Sequence, residues 1–475
     1  MIRVGRAAEA PPFPVAAKRA LGNAQLRRNV RHATNVIRGK RAVVVGEMPD
    51  WEQLRDAAHA IKEHTVRYLD FYLEQFEENC TRAGGSVHWA ADADEANRIV
   101  IDIMRAAGRT EMIKVKTMTS DETGLNRALE AAGLVPHETD LADLIIQLGE
   151  DRPSHIVVPA LHLNRTEIRD IFRGAMNRAE LTDRPEELAA AARQFLREKF
   201  LRVDAGFSGA NFAIADSGSI CVVESEGNGR MCVTLPRVLI TLVGVEKVIP
   251  RFQDLEVFLQ VLARSATGER MNPYNSIWTG VTPGDGPQEV HVVLLDNGRT
   301  AVLQDEASRE TLDCIRCAAC LNACPVYQQT GGHAYGSIYS GPIGAILTPQ
   351  LQSMEHSRSL PYASSLCGAC YEACPVKIDI PEILIHLRER LVDAGEAPAG
   401  ERWSMKAAAA AFASERRLGA AQKAARLAQW PFARHGQLSH LPPPLNAWTE
   451  HRALAAIPPQ SFREWWATRE RAGGA

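Results

Sequence analysis

Cys314-Ile315-Arg316-Cys317-Ala318-Ala319-Cys320-Leu321-Asn322-Ala323-Cys324-Pro325 is a C-x2-C-x2-C-x3-C-P run, the spacing of ferredoxin-type iron–sulfur binding. Three thiolates two residues apart can wrap one cubane cluster, because small residues between them bring successive sulfurs onto a concave surface. The fourth, displaced by three residues and followed by Pro325, points away and serves a neighbouring cluster. Proline has no N–H and a fixed φ, which suits a chain leaving the loop to begin a new turn.

A second run follows: Ser364-Ser365-Leu366-Cys367-Gly368-Ala369-Cys370-Tyr371-Glu372-Ala373-Cys374-Pro375. It matches the first at three cysteines, with Ser364 where the first has Cys314. Reciprocal ligation gives one complete site, Cys314, Cys317, Cys320 and Cys374. The second site has Cys324, Cys367 and Cys370. It holds a [4Fe–4S] cluster completed by a non-cysteine group, a [3Fe–4S] cluster, or a cluster with an open iron corner. A pair of zinc sites is the competing reading, since C-x2-C also binds zinc, but two Cys-Pro endings favour interlocked clusters. The segment between the runs is too long for a compact ferredoxin hairpin. Apolar positions from Ile343 to Leu347, and a helix after Pro381 carrying Ile383, Leu384, Leu387 and Leu391, predict an α-helical module.

Upstream, helical spacing runs from Trp51 to Phe76 and predicts one long helix. Strand-like runs (Val87–Trp89, Ile113–Val115, His155–Val158) then alternate with amphipathic stretches, the rhythm of a mainly parallel sheet covered by helices. One of those helices is expected to open at Thr119, with Glu122 completing a capping box. From Asn211 the texture is β-rich, with turns at Asp216-Ser217-Gly218 and Gly227-Asn228-Gly229, the second leading into a strand from Met231 to Leu235. Val290–Leu295 and the turn at Asn297-Gly298 close that region. Beyond residue 395 the chain is helical, Ala-rich and basic, then Pro-rich (Leu441 to Pro444), and ends in an aromatic group, Trp448, Phe462, Trp465 and Trp466. The expected parts are therefore a basic arm (1–50), an α/β domain (51–304), a two-cluster ferredoxin domain (305–395) and a helical docking region (396–475).

With 475 residues and a formal net charge of −3, no global basic field recruits nucleic acid. The first 40 residues are locally basic (Arg3, Arg6, Lys18, Arg19, Arg27, Arg28, Arg31 and others) and read as a solvated arm or partner-docking helix, with a transit peptide as the alternative. No run approaches the ~20 apolar residues of a membrane span. Seven of the ten cysteines crowd into residues 314–374, and Cys80, Cys221 and Cys232 are scattered in apolar surroundings. That distribution points to metal in a reducing compartment, and so to a cytoplasmic protein, peripheral to a membrane at most.

The paired motifs, with Gly341-Pro342-Ile343-Gly344-Ala345-Ile346-Leu347 between them, resemble the iron–sulfur protein B family of the bacterial lactate-utilisation system. The segment from Gly209 through Asp216 to Ile220 is similar to that family's lactate-utilisation domain, an α/β fold related to sugar-phosphate-isomerase-like and CoA-transferase-like domains. The resemblance implies a non-catalytic electron-transfer subunit that carries electrons on two [4Fe–4S] clusters, the second with three cysteine ligands. It also implies two partner subunits, with which lactate is oxidised to pyruvate, and an electron acceptor of unspecified kind. The competing function is that the α/β domain itself oxidises a hydroxy-acid, with the three-cysteine cluster as an open-site Lewis acid.

Lys116, Thr119, Ser120, Glu138, Asp140, Asp216, Ser217, Glu224 and Asn228 fall at predicted strand ends and turns, where open α/β sheets build ligand crevices. Caps and turns select the same residue types, so each has a structural reading as well. His155 and His162 lack a third ligand at a fixed offset and read as structural. No G-x-G-x-x-G follows a strand into a helix, so a Rossmann site has no support.

Overall fold

The computed structural model describes residues 10–473 except 397, 398, 444 and 451. Arg3 and Arg6 of the basic arm and Pro444 of the proline run lie outside the described residues. Ten strands build the first unit, which runs to Leu391: β1 (Ser86–Ala90), β2 (Glu111–Lys114), β3 (Val135–Glu138), β4 (Ala205–Ser208), β5 (Phe212–Ile214), β6 (Ser219–Glu224), β7 (Val238–Gly244), β8 (Val248–Ile249), β9 (Tyr274–Trp278) and β10 (Glu289–Leu295). Six of them form an all-parallel sheet in the order β1-β10-β7-β4-β2-β3. A smaller mixed sheet follows the order β8-β5-β6-β9.

The apolar run of β7 is buried along its whole length, as a strand covered on both faces must be. Its alternate residues enter different cores: Val238, Ile240 and Leu242 meet the helix Ala93–Ala106 through Val100 and Met104, while Leu239 joins Phe172, Leu188 and Leu196 of other helices. The period-2 alternation of a strand thereby supplies both layers at once. The β5–β6 hairpin turns at Gly218, whose φ of +66° suits a residue without Cβ.

Four local expectations are corrected. The predicted helix from Trp51 to Phe76 is two helices, Trp51–Arg67 and Leu69–Arg82, broken at Tyr68 (φ −119°, ψ 39°). The break lets each half serve its own core: Trp51 and Ala58 pack with the cysteine segment, Leu69, Leu73 and Phe76 with the sheet. The helix near residue 119 is capped by Thr117, whose hydroxyl accepts from the Thr119 amide at 3.3 Å, and Glu122 is drawn into a buried ion network instead of a capping box. His155–Val158 is not a strand, because the His155 ring satisfies the amides of Val157 and Val158 locally (3.1 and 3.0 Å). Met231–Leu235 is largely helix, the element running Asn228–Thr234. Gly227 starts it at φ +86°, and Glu224 accepts from the amides of Gly229 and Arg230 (2.8 and 2.6 Å).

The basic segment before residue 50 docks on its own chain. Helix Ala24–Gly46 buries Val30, Thr34 and Val44 and packs on the short helices of the cysteine segment. The helix predicted after Pro381 runs Ile380–Asp393 and buries the four expected apolar residues. The second unit, Val392–Ala475, contains helices Ala399–Phe412, Glu415–Ala428 and Phe462–Gly473, with a small antiparallel sheet of three two-residue strands. Among the described residues no helix is long and apolar enough to cross a membrane.

Gly206 in β4 is the tightest point of the main sheet: a Cβ there would lie 2.2 Å from the Cys232 carbonyl and 3.0 Å from the Pro236 ring. Gly206→Ala is expected to destabilise the first unit by about 1–3 kcal/mol through overpacking, read as a lowered denaturation midpoint.

Candidate iron–sulfur centre and adjoining cavity

The two cysteine runs have the same backbone trace. Arg316 and Ala318 in the first, and Leu366 and Gly368 in the second, all hold positive φ (61°, 62°, 53° and 81°). Three of these four are not glycine, so each run stores strain that its surroundings must impose. The left-handed residues turn the backbone around the thiols before a short helix follows, Ala319–Ala323 in one run and Ala369–Ala373 in the other. These two helices pack against each other.

Cys317, Cys320, Cys324, Cys370 and Cys374 are buried, Cys314 is half-buried and Cys367 is exposed, and all are free thiols. Their charges couple across the two runs. Cys317 feels Cys374 and Cys314, Cys374 feels Cys314, and Cys320 feels Cys314, Cys317, Cys374 and, least, Cys370. Cys324 feels Cys367, and Cys370 feels both. Burial pushes the thiols of Cys317, Cys370 and Cys374 up to about 12, and neighbouring sulfurs add to the rise.

Those residues fit an iron–sulfur group. The donors are soft thiols, and backbone amides already point at sulfur: Arg316 N–H to Cys314 Sγ at 3.4 Å and Tyr327 N–H to Cys324 Sγ at 3.5 Å. Cations stand behind the sulfurs without ligating. Arg55 donates to the carbonyls of Cys374 (2.9 Å) and Tyr371 (3.1 Å), and Arg41 to that of Ala373 (3.1 Å). Arg41 comes from the basic N-terminal segment and Arg55 from the helix that follows it, so part of that segment's charge serves the thiolate site. Ser364 is half-buried, and its hydroxyl accepts from the Leu366 amide at 3.1 Å. Cys80 and Cys232 are buried in other cores, and Cys221, on β6, is buried in the core that both runs share.

A buried ion network joins this centre to the main sheet. Arg299, 1% exposed, grips Glu122 with two bonds (2.9 and 3.0 Å) and also pairs with Glu246. Glu246 in turn pairs with Arg316, between Cys314 and Cys317, at 3.1 Å, and its carbonyl accepts from Lys62 at 2.5 Å. Tyr339 donates to Glu122 at 2.5 Å, with the Arg316 guanidinium 4.9 Å over its ring. Burial would raise the Glu246 carboxyl, but Arg299 and Arg316 outweigh it and hold the group at about 2.

Beside the network lies a cavity of about 210 Å³, lined by the ends of β2 and β6, by Gly209–Asn211, and by Lys247, Arg316 and Tyr339. Of the sequence candidates, Lys116, Thr119, Asp140, Glu224 and Asn228 line it. Ser120 and Glu138 do not line it; both bond the buried Lys114, at 3.3 and 2.6 Å. Asp216 belongs to the distant hairpin, where it accepts from the Phe252 amide, and Ser217 follows it in the same turn. The two histidines do not come together. His155 bonds Asn322 at 3.2 Å, and burial with the Lys116 charge pushes it down to about 3. His162 sits between Asp151 (2.8 Å) and Ser154 (2.7 Å), with the His333 ring edge-on to it, centroids 4.6 Å apart. Lys247, Arg316 and Tyr339 escaped sequence reading. The available signal was two charges, Glu246-Lys247, just after a largely apolar strand.

Family models match three successive parts of the chain: the LUD domain at residues 73–295, the 4Fe-4S dicluster domain at 310–378, and the C-terminal part of lactate utilisation protein B at 388–471. Curated relatives match almost end to end. Lactate utilization protein B of Bacillus licheniformis is 43% identical, with 96% of each chain covered. That of Geobacillus kaustophilus is 45% identical over 91% of this chain and 92% of the relative. The chain belongs to the lactate utilization protein B family. Bacillus subtilis has a member 43% identical, again with 96% of each chain covered. Among solved structures, a DUF162 family protein of Deinococcus radiodurans is 15% identical, covers 48% of this chain and 98% of its own, and has a TM-score of 0.28.

Removing Glu246 would leave Arg299 and Arg316 buried without a counter-charge. Glu246→Ala is expected to cost about 3–5 kcal/mol in denaturant unfolding of the anaerobically prepared protein. A loss below about 1 kcal/mol would contradict the network's role.

Proposed function

We propose that this family member is the iron–sulfur electron-transfer component of a multi-protein system that oxidises L-lactate to pyruvate. Its two [4Fe–4S] clusters would be held by Cys314, Cys317, Cys320 and Cys374, and by Cys324, Cys367 and Cys370. The observation that carries this reading is geometric: two matching left-handed cysteine loops lead into helices that pack on each other, and six of the seven thiols enter one core. Lactate oxidation releases two electrons and two protons, and a pair of one-electron centres, when bound, can pass those electrons onward singly.

The chain's own residues have separable roles. Arg41 and Arg55 fix the backbone of the second run and place positive charge beside anionic sulfur. The left-handed residues Arg316 and Ala318 aim the first run's thiols inward. Arg316, through Glu246 and Arg299, registers that run against the sheet. The exposed Cys367 places the second group at the surface, where one of two partner subunits or an electron acceptor could approach. Free thiols throughout support a reducing, cytoplasmic setting. The competing reading makes the α/β domain the oxidation site with the three-cysteine cluster as Lewis acid. The residues lining the cavity include Arg316 of the first run and none of Cys324, Cys367 or Cys370, which favours the carrier role for the second site.

Anaerobic protein mixed with its partner subunits should lose visible absorbance when lactate is added. Cys317→Ser and Cys370→Ser should each remove roughly four irons per chain with different EPR signatures. Clusters that stay oxidised, or two substitutions that erase the same signal, would overturn the reading.

A further inference from the structure

The cavity beside the first cysteine run carries charge that the protein leaves unused. Three cations line it. The Arg316 guanidinium is committed to Glu246 and to the Tyr339 ring. Lys116 donates to a neutral carbonyl, that of Val157, at 2.8 Å. Lys247 is only 8% exposed, and among the described residues its side-chain nitrogen makes no hydrogen bond and lies within 4.0 Å of no carboxylate. Its attractive charges are Glu246 and Cys314 at longer range, and burial with Arg316 nearby pushes it down to about 7. A buried amine without a hydrogen-bond partner is costly, and at a cavity wall it is left to pair with an entering anion.

The acids of the same wall cannot meet that need, because backbone amides hold them. Asp140 caps the helix Leu141–Leu148 through the amides of Ala142 and Asp143 (2.8 and 3.1 Å). Glu224 accepts from the amides of Gly229 and Arg230, and Glu226 from that of Ser225 (3.0 Å). The wall therefore holds three basic and three acidic side chains, with the Glu226 carboxyl pushed up by burial. A dianion such as phosphate would be repelled by Asp140, Glu224 and Glu226, whereas a monoanion can pair with the free ammonium. Asn211 and Asn272, also on the wall, are of the residue type that bonds a hydroxyl or keto oxygen next to a carboxylate.

We infer that this cavity is a binding site for a small 2-hydroxy- or 2-oxo-monocarboxylate, with Lys247 as the partner of its carboxylate. The site opens where the strands of the main sheet end, the usual ligand position in open α/β folds. The same wall carries Arg316, so the ligand lies next to the first thiolate group. The inference rests on the proposed function only for the choice of lactate and pyruvate as ligands.

The test is equilibrium binding to the full-length, iron-loaded chain without partner subunits. L-lactate, pyruvate and inorganic phosphate would be titrated anaerobically by calorimetry, in wild type, Lys247→Met and Lys247→Arg. Wild type is expected to bind lactate or pyruvate saturably and more tightly than phosphate. Lys247→Met should weaken that binding by about tenfold to a hundredfold, the worth of a charge-assisted bond, while Lys247→Arg retains most of it. An unchanged visible spectrum and iron content will show that each variant is folded. The inference falls if wild type binds neither carboxylate, if phosphate binds more tightly, or if folded Lys247→Met binds as wild type does. If Lys247→Met does not fold, Lys247→Arg decides, since a folded Arg variant that binds neither carboxylate also overturns it. Because partners are absent from this experiment, loss of carboxylate binding in iron-replete protein sinks this inference alone.

Discussion

Sulfur that is taken out of water has to be compensated, and that requirement organises much of this molecule. Five of the seven clustered thiols are buried, in surroundings that hold several of them protonated near neutral pH unless a cation takes the proton's place. The surrounding chain is built for the anionic form. Amides point at sulfur, two arginines brace the second run, and left-handed residues curl each loop inward. Helices from the N-terminal segment close over the same centre, which joins the two ends of the first unit into one core.

That core is locked to the parallel sheet by charge as well as by apolar packing. Arg299 and Glu246 lie within four residues of the ends of β10 and β7, and they share Glu122 and Arg316 between sheet and cysteine loop. The geometry is unforgiving, since a Cβ on Gly244 would lie 2.2 Å from Glu246 Oε2. Buried pairs of this kind add little net stability but are strongly destabilising when half removed, which makes them good devices for fixing one orientation. The orientation they fix sets Arg316 at the wall of the cavity, so the cavity and the thiolate centre share a residue.

Much of this was legible in the residues. The cysteine runs carry their chemistry in spacing alone, and the alternation of strands and amphipathic helices announces a parallel sheet. What escaped was set by tertiary contacts. Trp51–Phe76 has unbroken helical periodicity, and only the presence of two separate cores explains the bend at Tyr68. Met231–Leu235 has the composition of a strand, but Glu224 captures the amides that start a helix. Thr119 looks like a cap, and the true cap is two residues earlier because Glu122 is needed elsewhere. Lys247 was invisible because a lysine after a strand normally reaches solvent, and nothing local says that this one is enclosed.

Seven thiols shared between two interlocked sites are proposed to hold two cubane clusters. The decisive experiment is iron and acid-labile sulfide analysis of anaerobically purified, fully reconstituted protein, paired with Mössbauer spectroscopy. About eight irons and eight sulfides per chain in cubane environments are expected, or about seven irons if the second site holds a [3Fe–4S] core. Zinc in place of iron, or about four irons per chain, would contradict the proposal.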